Sequence, residues 1–211
     1  MTARRVADGP AGREEAIRVL RDGGIVAVPT DTVYGLAAWL ETPGGIERLF
    51  EAKGRSADRA IAVLLADAAQ AETLAVLTPA ARRLAEAFWP GGLTLVLAQR
   101  PDRPALPAAL TGGRPTIGLR VPDHPAPRAL AAALGPLPTT SANVSGEPEA
   151  RDANEIKARL GAALDLILDG GPAAGGAPST VVDVSGQEPR ILRIGAIASE
   201  AIESCLRDMG R

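Results

Sequence analysis

The sequence is poor in residue types on which many functional sites depend. Of its 211 residues 2% are aromatic, and there is one cysteine and one histidine. A single cysteine, Cys205, excludes an internal disulfide and a cysteine-based metal site. A lone histidine, His124, excludes a metal site built from several histidines, and its place between Pro and Asp favours a structural role. Ala, Leu, Val and Ile must therefore supply the core.

The chain also lacks a net positive charge. The net charge is −2 and the pI about 5.6, which argues against binding of nucleic acid through bulk charge, although a local basic patch remains open. The sequence has no apolar run of about 18 residues and no apolar stretch near residue 1. These absences predict a soluble, cytoplasmic protein that does not contact a membrane.

Strand-like and helix-like segments alternate along the whole chain. "REEAIRVLRDGG" and "GGIERLFEAKG" have helical spacing and end in glycine, and "TPAARRLAEAFWPGG" begins with a Thr cap before Pro. Short apolar runs between the helices predict buried strands: "GIVAVP", "AIAVLLA", "LTLVLAQ", "TIGLRVP", "LPTTSA", "LDLILD", "STVVDV" and "RILRI". The pattern predicts one α/β domain over residues 1–211, with a large sheet.

Two polar stretches follow predicted elements in the first third of the chain. In "VPTDTVYGLAA" (28–38), Thr30, Asp31 and Thr32 follow a strand, where α/β sheets hold ligands, although helix capping explains them equally well. In "KGRSADR" (53–59), Lys53 and Arg55 suit phosphate oxygens. A solvated charge cluster is the commoner origin of such a run, and its spacing is not that of a P-loop.

Two further stretches lie in the second half. In "TIGLRVPDHP" (116–125), Arg120 stands inside an apolar strand, where it either binds an anion or lies on an outer face of the sheet. In "PTTSANVSGEP" (138–148), hydroxyl and amide groups suit a polar ligand, but an ordinary turn has the same composition. Ser179 and Arg193 add polar side chains at two later strand ends.

Seven motifs occur together in a recognisable order. They are "PTDTVYGLAA", "KGR", "FWPGGLTLVL", "TIGLRVPDHP", "TSANVSG", "PSTVVDV" and "ILRIG". This series, which covers about residues 13–196, resembles the YrdC/TsaC family of L-threonylcarbamoyladenylate synthases. The pairing of KxR with SxN about 90 residues later is specific to that family.

The resemblance implies a fold, a reaction and partners. We expect a single YrdC-like domain of the short type, with a twisted mixed sheet flanked by helices around a large open cavity. The reaction would form threonylcarbamoyl-AMP and pyrophosphate from L-threonine, bicarbonate and ATP, with Mg²⁺ arriving on ATP. The product would pass to a threonylcarbamoyl-transfer complex that makes N6-threonylcarbamoyladenosine in tRNA.

The family's functional residues carry over by position. Lys53, Arg55, Ser141 and Asn143 form the KxR/SxN signature and would be catalytic. Contacts with ATP would come from Lys53, Arg55, Arg59, Thr116, Asn143 and Arg193, and contacts with L-threonine from Thr32, Arg120, Ser141 and Ser179. Thr94 and Thr140 are weaker candidates, and no protein side chain is assigned to a metal.

The chain departs from the family pattern at five positions. Ser56 and Ala60 replace prolines, which predicts a more mobile loop. Arg59 stands where a smaller polar residue contacts ATP, Leu64 where a histidine approaches threonine, and Arg151 where a Ser or Thr lies near the nucleotide.

Two alternatives to the synthase stay open. YrdC-like domains have been regarded as double-stranded RNA-binding modules that act in ribosome maturation, and clustered arginines could attract tRNA or other RNA. Carbamoyltransferases of hydrogenase maturation are also related, but they carry zinc-finger and acylphosphatase segments that this sequence lacks.

Overall fold

Ten short strands form one sheet in the computed structural model, which describes residues 2–54 and 60–207. In chain order they are β1 (Arg4–Ala7), β2 (Val26–Val28), β3 (Gly35–Ala37), β4 (Ala62–Leu64), β5 (Leu93–Ala98), β6 (Thr116–Arg120), β7 (Leu137–Ser141), β8 (Leu166–Asp169), β9 (Thr180–Asp183) and β10 (Arg190–Arg193). Their order across the sheet is β1-β8-β2-β3-β7-β4-β6-β5-β9-β10. Parallel pairs such as β4/β6 and β5/β9 adjoin antiparallel pairs such as β3/β7 and β5/β6, so the sheet is mixed.

Helices cover both faces of the sheet. They are α1 (Pro10–Arg21), α2 (Gly45–Lys53), α3 (Ala68–Leu74), α4 (Pro79–Phe88), α5 (Ala108–Thr111), α6 (Pro125–Leu134), α7 (Ala153–Leu160) and α8 (Ser199–Arg207). One core contains Leu20 of α1, Leu130 of α6 and Val26 of β2. A larger core contains Leu49 of α2 and Leu84 of α4, among others. These four helices thus bury apolar residues in the cores on either side of the sheet.

The end of α2 positions Lys53, one of the predicted site residues. Ile46, Leu49 and Phe50 are buried on one face of the helix, which fixes its rotation. Gly54 terminates it with a φ of 60°, in the left-handed region that glycine adopts without strain. Lys53 therefore lies in the last helical turn, where its side chain is buried.

The α/β class and the mixed sheet flanked by helices are confirmed. β1 and β3 were not predicted: β1 pairs with the distant β8, and β3 pairs with the preceding β2 and with the distant β7. α3 was also missed; Asp67 caps it by accepting a hydrogen bond from the Gln70 amide. In the described ranges, no helix is both long and apolar enough to span a bilayer.

Candidate active site

A pocket of about 590 Å³ lies over the strand ends that carry the predicted residues. Eight of those residues line it: Thr32, Thr94, Thr116, Arg120, Thr140, Ser141, Ser179 and Arg193. They come from both halves of the sequence, and the sheet order brings them together. Lys53 and Asn143 do not line this pocket but lie directly behind Ser141.

The Lys53 ammonium joins the two halves of the KxR/SxN signature. Its Nζ donates to Ser141 O at 2.7 Å, to Asn143 Oδ1 at 2.9 Å and to Ser141 Oγ at 3.0 Å, with Thr140 Oγ1 at 3.3 Å. The Ser145 amide also donates to the Lys53 carbonyl at 3.1 Å. The end of α2 is thus fixed to the loop that follows β7.

Proton positions in this cluster follow from the lysine. An ammonium has three protons and no lone pair, so Ser141 Oγ must accept from Lys53. The Ser141 hydroxyl then donates to Asn143 Oδ1 at 2.6 Å, and Asn143 Nδ2 donates to Glu147 O at 2.6 Å. The resulting chain sets the Asn143 amide orientation and turns the Ser141 hydroxyl proton towards Asn143.

Arg120 is a buried cation in the pocket wall. Its guanidinium donates from Nε to Gly91 O at 2.9 Å, from Nη1 to Thr32 Oγ1 at 2.8 Å and from Nη2 to Asp31 Oδ1 at 2.7 Å. The Arg120 side chain is 7% exposed and that of Asp31 is 16% exposed. Sequence reasoning left open an outer face of the sheet for Arg120, and burial in the pocket wall decides against it.

Asp31 offsets the cost of burying the Arg120 charge. Burial lowers the pKa of the Arg120 guanidinium, because it disfavours the charged form, and the adjacent Asp31 carboxylate opposes that shift. Three acceptors from two separate loops also fix the plane of the guanidinium. The arrangement presents an oriented cation to an anionic group in the pocket.

Hydroxyl groups and a second arginine complete the lining. Ser179 Oγ and Thr94 Oγ1 are 2.8 Å apart, and both residues are buried. Arg193 donates from Nη2 to Ser179 O at 2.8 Å. Burial lowers the pKa of Arg193, and the Glu149 carboxylate across the pocket opposes that shift. Thr116 stands at the start of β6 on the same wall.

Several departures from the family pattern can be located. Leu64 and Ala60 line the pocket, and Leu64 pairs with Arg120 across β4 and β6. The Arg151 guanidinium instead turns away and forms an ion pair with Glu155 at 2.6 Å. Arg55, Ser56 and Arg59 lie outside the described residues, so the ATP contacts expected of the two arginines stay predictions.

Sequence reasoning missed three side chains around the pocket. Asp31 was identified only as a polar residue at a strand end. Its position between two threonines was a local signal, but its partner Arg120 lies 89 residues away in sequence. The buried Tyr34 hydroxyl donates to Gly171 O at 2.6 Å and accepts from the Gly170 amide, which links two loops, and burial raises its pKa to about 12. Glu149 lines the pocket, but no motif pointed to it.

A larger depression of about 1010 Å³ lies elsewhere, between α1, α2 and the loop before β8. None of the predicted site residues lines it. Two of its charged side chains, Arg48 and Asp165, pair with each other at 3.3 Å. We therefore place the candidate site in the smaller pocket, where hydroxyls and buried cations converge.

The family model of Sua5, YciO and YrdC, described as telomere recombination, matches residues 18–195. The chain belongs to this family. A threonylcarbamoyl-AMP synthase of Bacillus subtilis is 40% identical over 194 residues, which is 91% of this chain and 56% of that protein. A putative threonylcarbamoyl-AMP synthase of Mycobacterium tuberculosis is 38% identical over 196 residues, covering 92% of this chain and 89% of the relative.

Solved structures of the Sua5/YciO/YrdC family share the fold. The crystal structure of Pyrococcus abyssi Sua5 complexed with L-threonine superimposes with a TM-score of 0.89 at 35% identity. The match covers 98% of this chain and 61% of Sua5. The chain thus spans about three fifths of Sua5 and just over half of the Bacillus relative.

Proposed function

We propose that the chain is an L-threonylcarbamoyladenylate synthase, which forms threonylcarbamoyl-AMP and pyrophosphate from L-threonine, bicarbonate and ATP. The observation that carries the proposal is the pocket that brings the buried Arg120 together with Thr32, Thr94, Ser179 and Arg193. The names of the relatives agree with this reaction and not with the RNA-binding alternative.

The amino-acid side would lie at Arg120. A guanidinium held in one plane by Asp31, Thr32 and Gly91 suits the planar carboxylate of an amino acid. The hydroxyls of Thr94 and Ser179 lie on the same wall and can hydrogen-bond the polar end of threonine.

The nucleotide side would lie between Arg193, Thr116 and the Lys53 cluster. Arg193 supplies a guanidinium at the pocket, and Thr116 a hydroxyl at the start of β6. Lys53 holds Ser141 at the pocket wall through its carbonyl and hydroxyl oxygens. A direct contact of Lys53 with phosphate oxygens is part of the proposal.

The chemistry demands positioning more than proton transfer. The threonine amine loses a proton and adds to CO₂ derived from bicarbonate, giving a carbamate. A carbamate oxygen then attacks the α-phosphorus of ATP as the bond to the pyrophosphate oxygen breaks. Such transfers depend on alignment and charge neutralisation, which buried cations and hydroxyls provide.

Mg²⁺ would enter the pocket with ATP. Within the described ranges, no group of three or more His, Cys, Asp or Glu side chains could hold a metal ion. Mg²⁺ commonly uses few protein ligands and several phosphate and water oxygens, and it would neutralise phosphate charge there. The product would serve a threonylcarbamoyl-transfer complex that acts on tRNA.

One assay tests the proposal. The purified chain is incubated with ATP, Mg²⁺, bicarbonate and L-threonine, and pyrophosphate and the adenylate product are followed. We expect turnover that requires threonine, and Arg120→Ala should raise the threonine KM far more than the ATP KM. Pyrophosphate release that ignores threonine, or none at all, would contradict the synthase.

A further inference from the structure

Arg193 makes a forked contact with Ser179. Its Nε and Nη2 donate to Ser179 O at 3.1 and 2.8 Å, and Nη2 also lies 3.3 Å from Ser179 Oγ. Ser179 Oγ in turn lies 2.8 Å from Thr94 Oγ1. One guanidinium therefore contacts both the carbonyl and the hydroxyl of a neighbouring serine in the pocket lining.

A bulge in β10 turns Arg193 towards the pocket. Ile191 lies opposite Val182 of β9, and Arg193 lies opposite Val181, so Leu192 is an extra residue in the ladder. Successive side chains of a strand alternate between the two faces of the sheet, and a regular ladder would send Arg193 to the face away from Val181. Val181 lines the pocket, and the bulge places Arg193 on that same face.

Gly195 allows β10 to approach Ser179 closely. A Cβ atom at residue 195 would lie 2.1 Å from Pro178 O and 2.7 Å from the Ser179 carbonyl carbon, distances that no side chain tolerates. The Ala196 amide donates to Pro178 O at 2.9 Å and holds the two segments together. The close approach brings the Arg193 guanidinium within reach of Ser179.

We propose that Arg193 is a positioning residue for Ser179, and that Gly195 makes this contact possible. The inference rests on the proposed function, in which Ser179 contacts L-threonine and Arg193 contacts ATP. The residue that binds the nucleotide then also orders the amino-acid side of the pocket. The hydrogen-bonded pair of Arg193 and Ser179 would then contact both ligands. Binding of ATP or L-threonine that orders this pair would strengthen binding of the other ligand, and the coupling is reciprocal.

The test measures L-threonine binding by calorimetry in the absence of any nucleotide. Arg193→Lys keeps the positive charge but loses the planar fork that grips Ser179. We expect about a tenfold weaker Kd for threonine in Arg193→Lys. The double variant Arg193→Lys/Ser179→Ala should bind threonine no more weakly than Ser179→Ala alone. Both changes act on the same interaction, the contact of the Ser179 hydroxyl with threonine.

A matched pair of glycine variants tests the backbone contact. Gly195→Ala should weaken threonine binding by a similar factor. The control is Gly186→Ala. Gly186 lies between β9 and β10, and a Cβ there would meet nothing within 4 Å, so the threonine Kd should stay within about twofold of the parent value. If Gly195→Ala fails to fold by circular dichroism, Arg193→Lys still decides the question.

Two outcomes overturn different statements. An Arg193→Lys variant that binds threonine like the parent, while its affinity for ATP falls, would confine Arg193 to the nucleotide and overturn the inference. A parent chain that neither binds threonine nor releases pyrophosphate with it would overturn the proposed function, and this inference with it.

Discussion

One buried cation, Arg120, lines the pocket and a second, Lys53, lies behind Ser141, and the two are held in different ways. The described contacts of the Lys53 ammonium converge from one short segment, Thr140 and Ser141 at the end of β7 and Asn143 just after it. The Arg120 guanidinium instead spans two separate loops, through Asp31 and Thr32 on one and Gly91 on the other. A compact ammonium gathers oxygens radially around a point, whereas a planar guanidinium joins distant segments in one plane.

The comparison explains where each residue type occurs. Lysine is rare in this chain, with two among 23 basic Lys and Arg residues, yet one of them is buried at the end of α2. At that position the compact Lys53 ammonium can bind several oxygens at the end of β7 and just after it without requiring them to be coplanar. Arg120 needs both planarity and a carboxylate partner, because its burial disfavours the charged form.

The largest expected effect comes from breaking the Arg120 ion pair. Asp31→Ala leaves a buried guanidinium without its carboxylate, and we expect the free energy of unfolding to fall by about 3 kcal/mol in urea titrations. Glu72→Ala removes a comparable ion pair whose side chains are 50% and 55% exposed, and should cost less than about 1 kcal/mol. Equal losses in the two variants would remove the special status of Asp31.

Exchanging the two cation types sharpens the comparison. Lys53→Arg forces a larger, planar group into a site that is 3% exposed, and we expect a loss of about 2 kcal/mol by overpacking. Arg120→Lys should lose at least one of three contacts, about 1 to 2 kcal/mol in unfolding experiments. Were either exchange neutral in stability, the radial and planar arrangements would be interchangeable.

The smallest effect concerns a third basic side chain, His124. Burial lowers its pKa below the ordinary value of 6.5, against the opposing carboxylates of Asp8, Asp31 and Asp123, while Arg13 lowers it further. The unfolded chain then binds a proton at a higher pH than the folded chain does. The stabilising contribution of neutral His124 is fully present above about pH 6.5. It is lost as the pH falls through that value towards the lower pKa of the folded state.

A local contact gives this effect a control. His124 Nδ1 accepts a hydrogen bond from the Ala126 amide at 3.2 Å and caps α6, which a protonated Nδ1 cannot do. His124→Asn keeps an acceptor but does not titrate. Between about pH 7.5 and pH 5.5 its unfolding free energy should fall less than that of the parent chain, and an identical fall would assign the pH dependence to other groups.

Local patterns predicted much of the fold but few of its contacts. The glycine stop after α2, the Thr78 cap of α4 and the strand around Arg120 follow from residues close in sequence. β1 does not, because among the described strands it pairs only with one more than 100 residues away, and β3 lies between the nearby β2 and the distant β7. The partners of Lys53 and Arg120 lie about 90 residues from them, except Gly91 at 29, and no periodicity reports such distances.

The sequence by itself determined the α/β class, the family and most of the polar residues that line the pocket, because motifs and apolar periodicity are local properties. Tertiary structure alone decided that Asp31 balances Arg120, that Lys53 binds the loop after β7, and that a bulge and Gly195 bring Arg193 onto Ser179. Those contacts depend on sheet order, register and close backbone approach, which arise only when distant segments pack together.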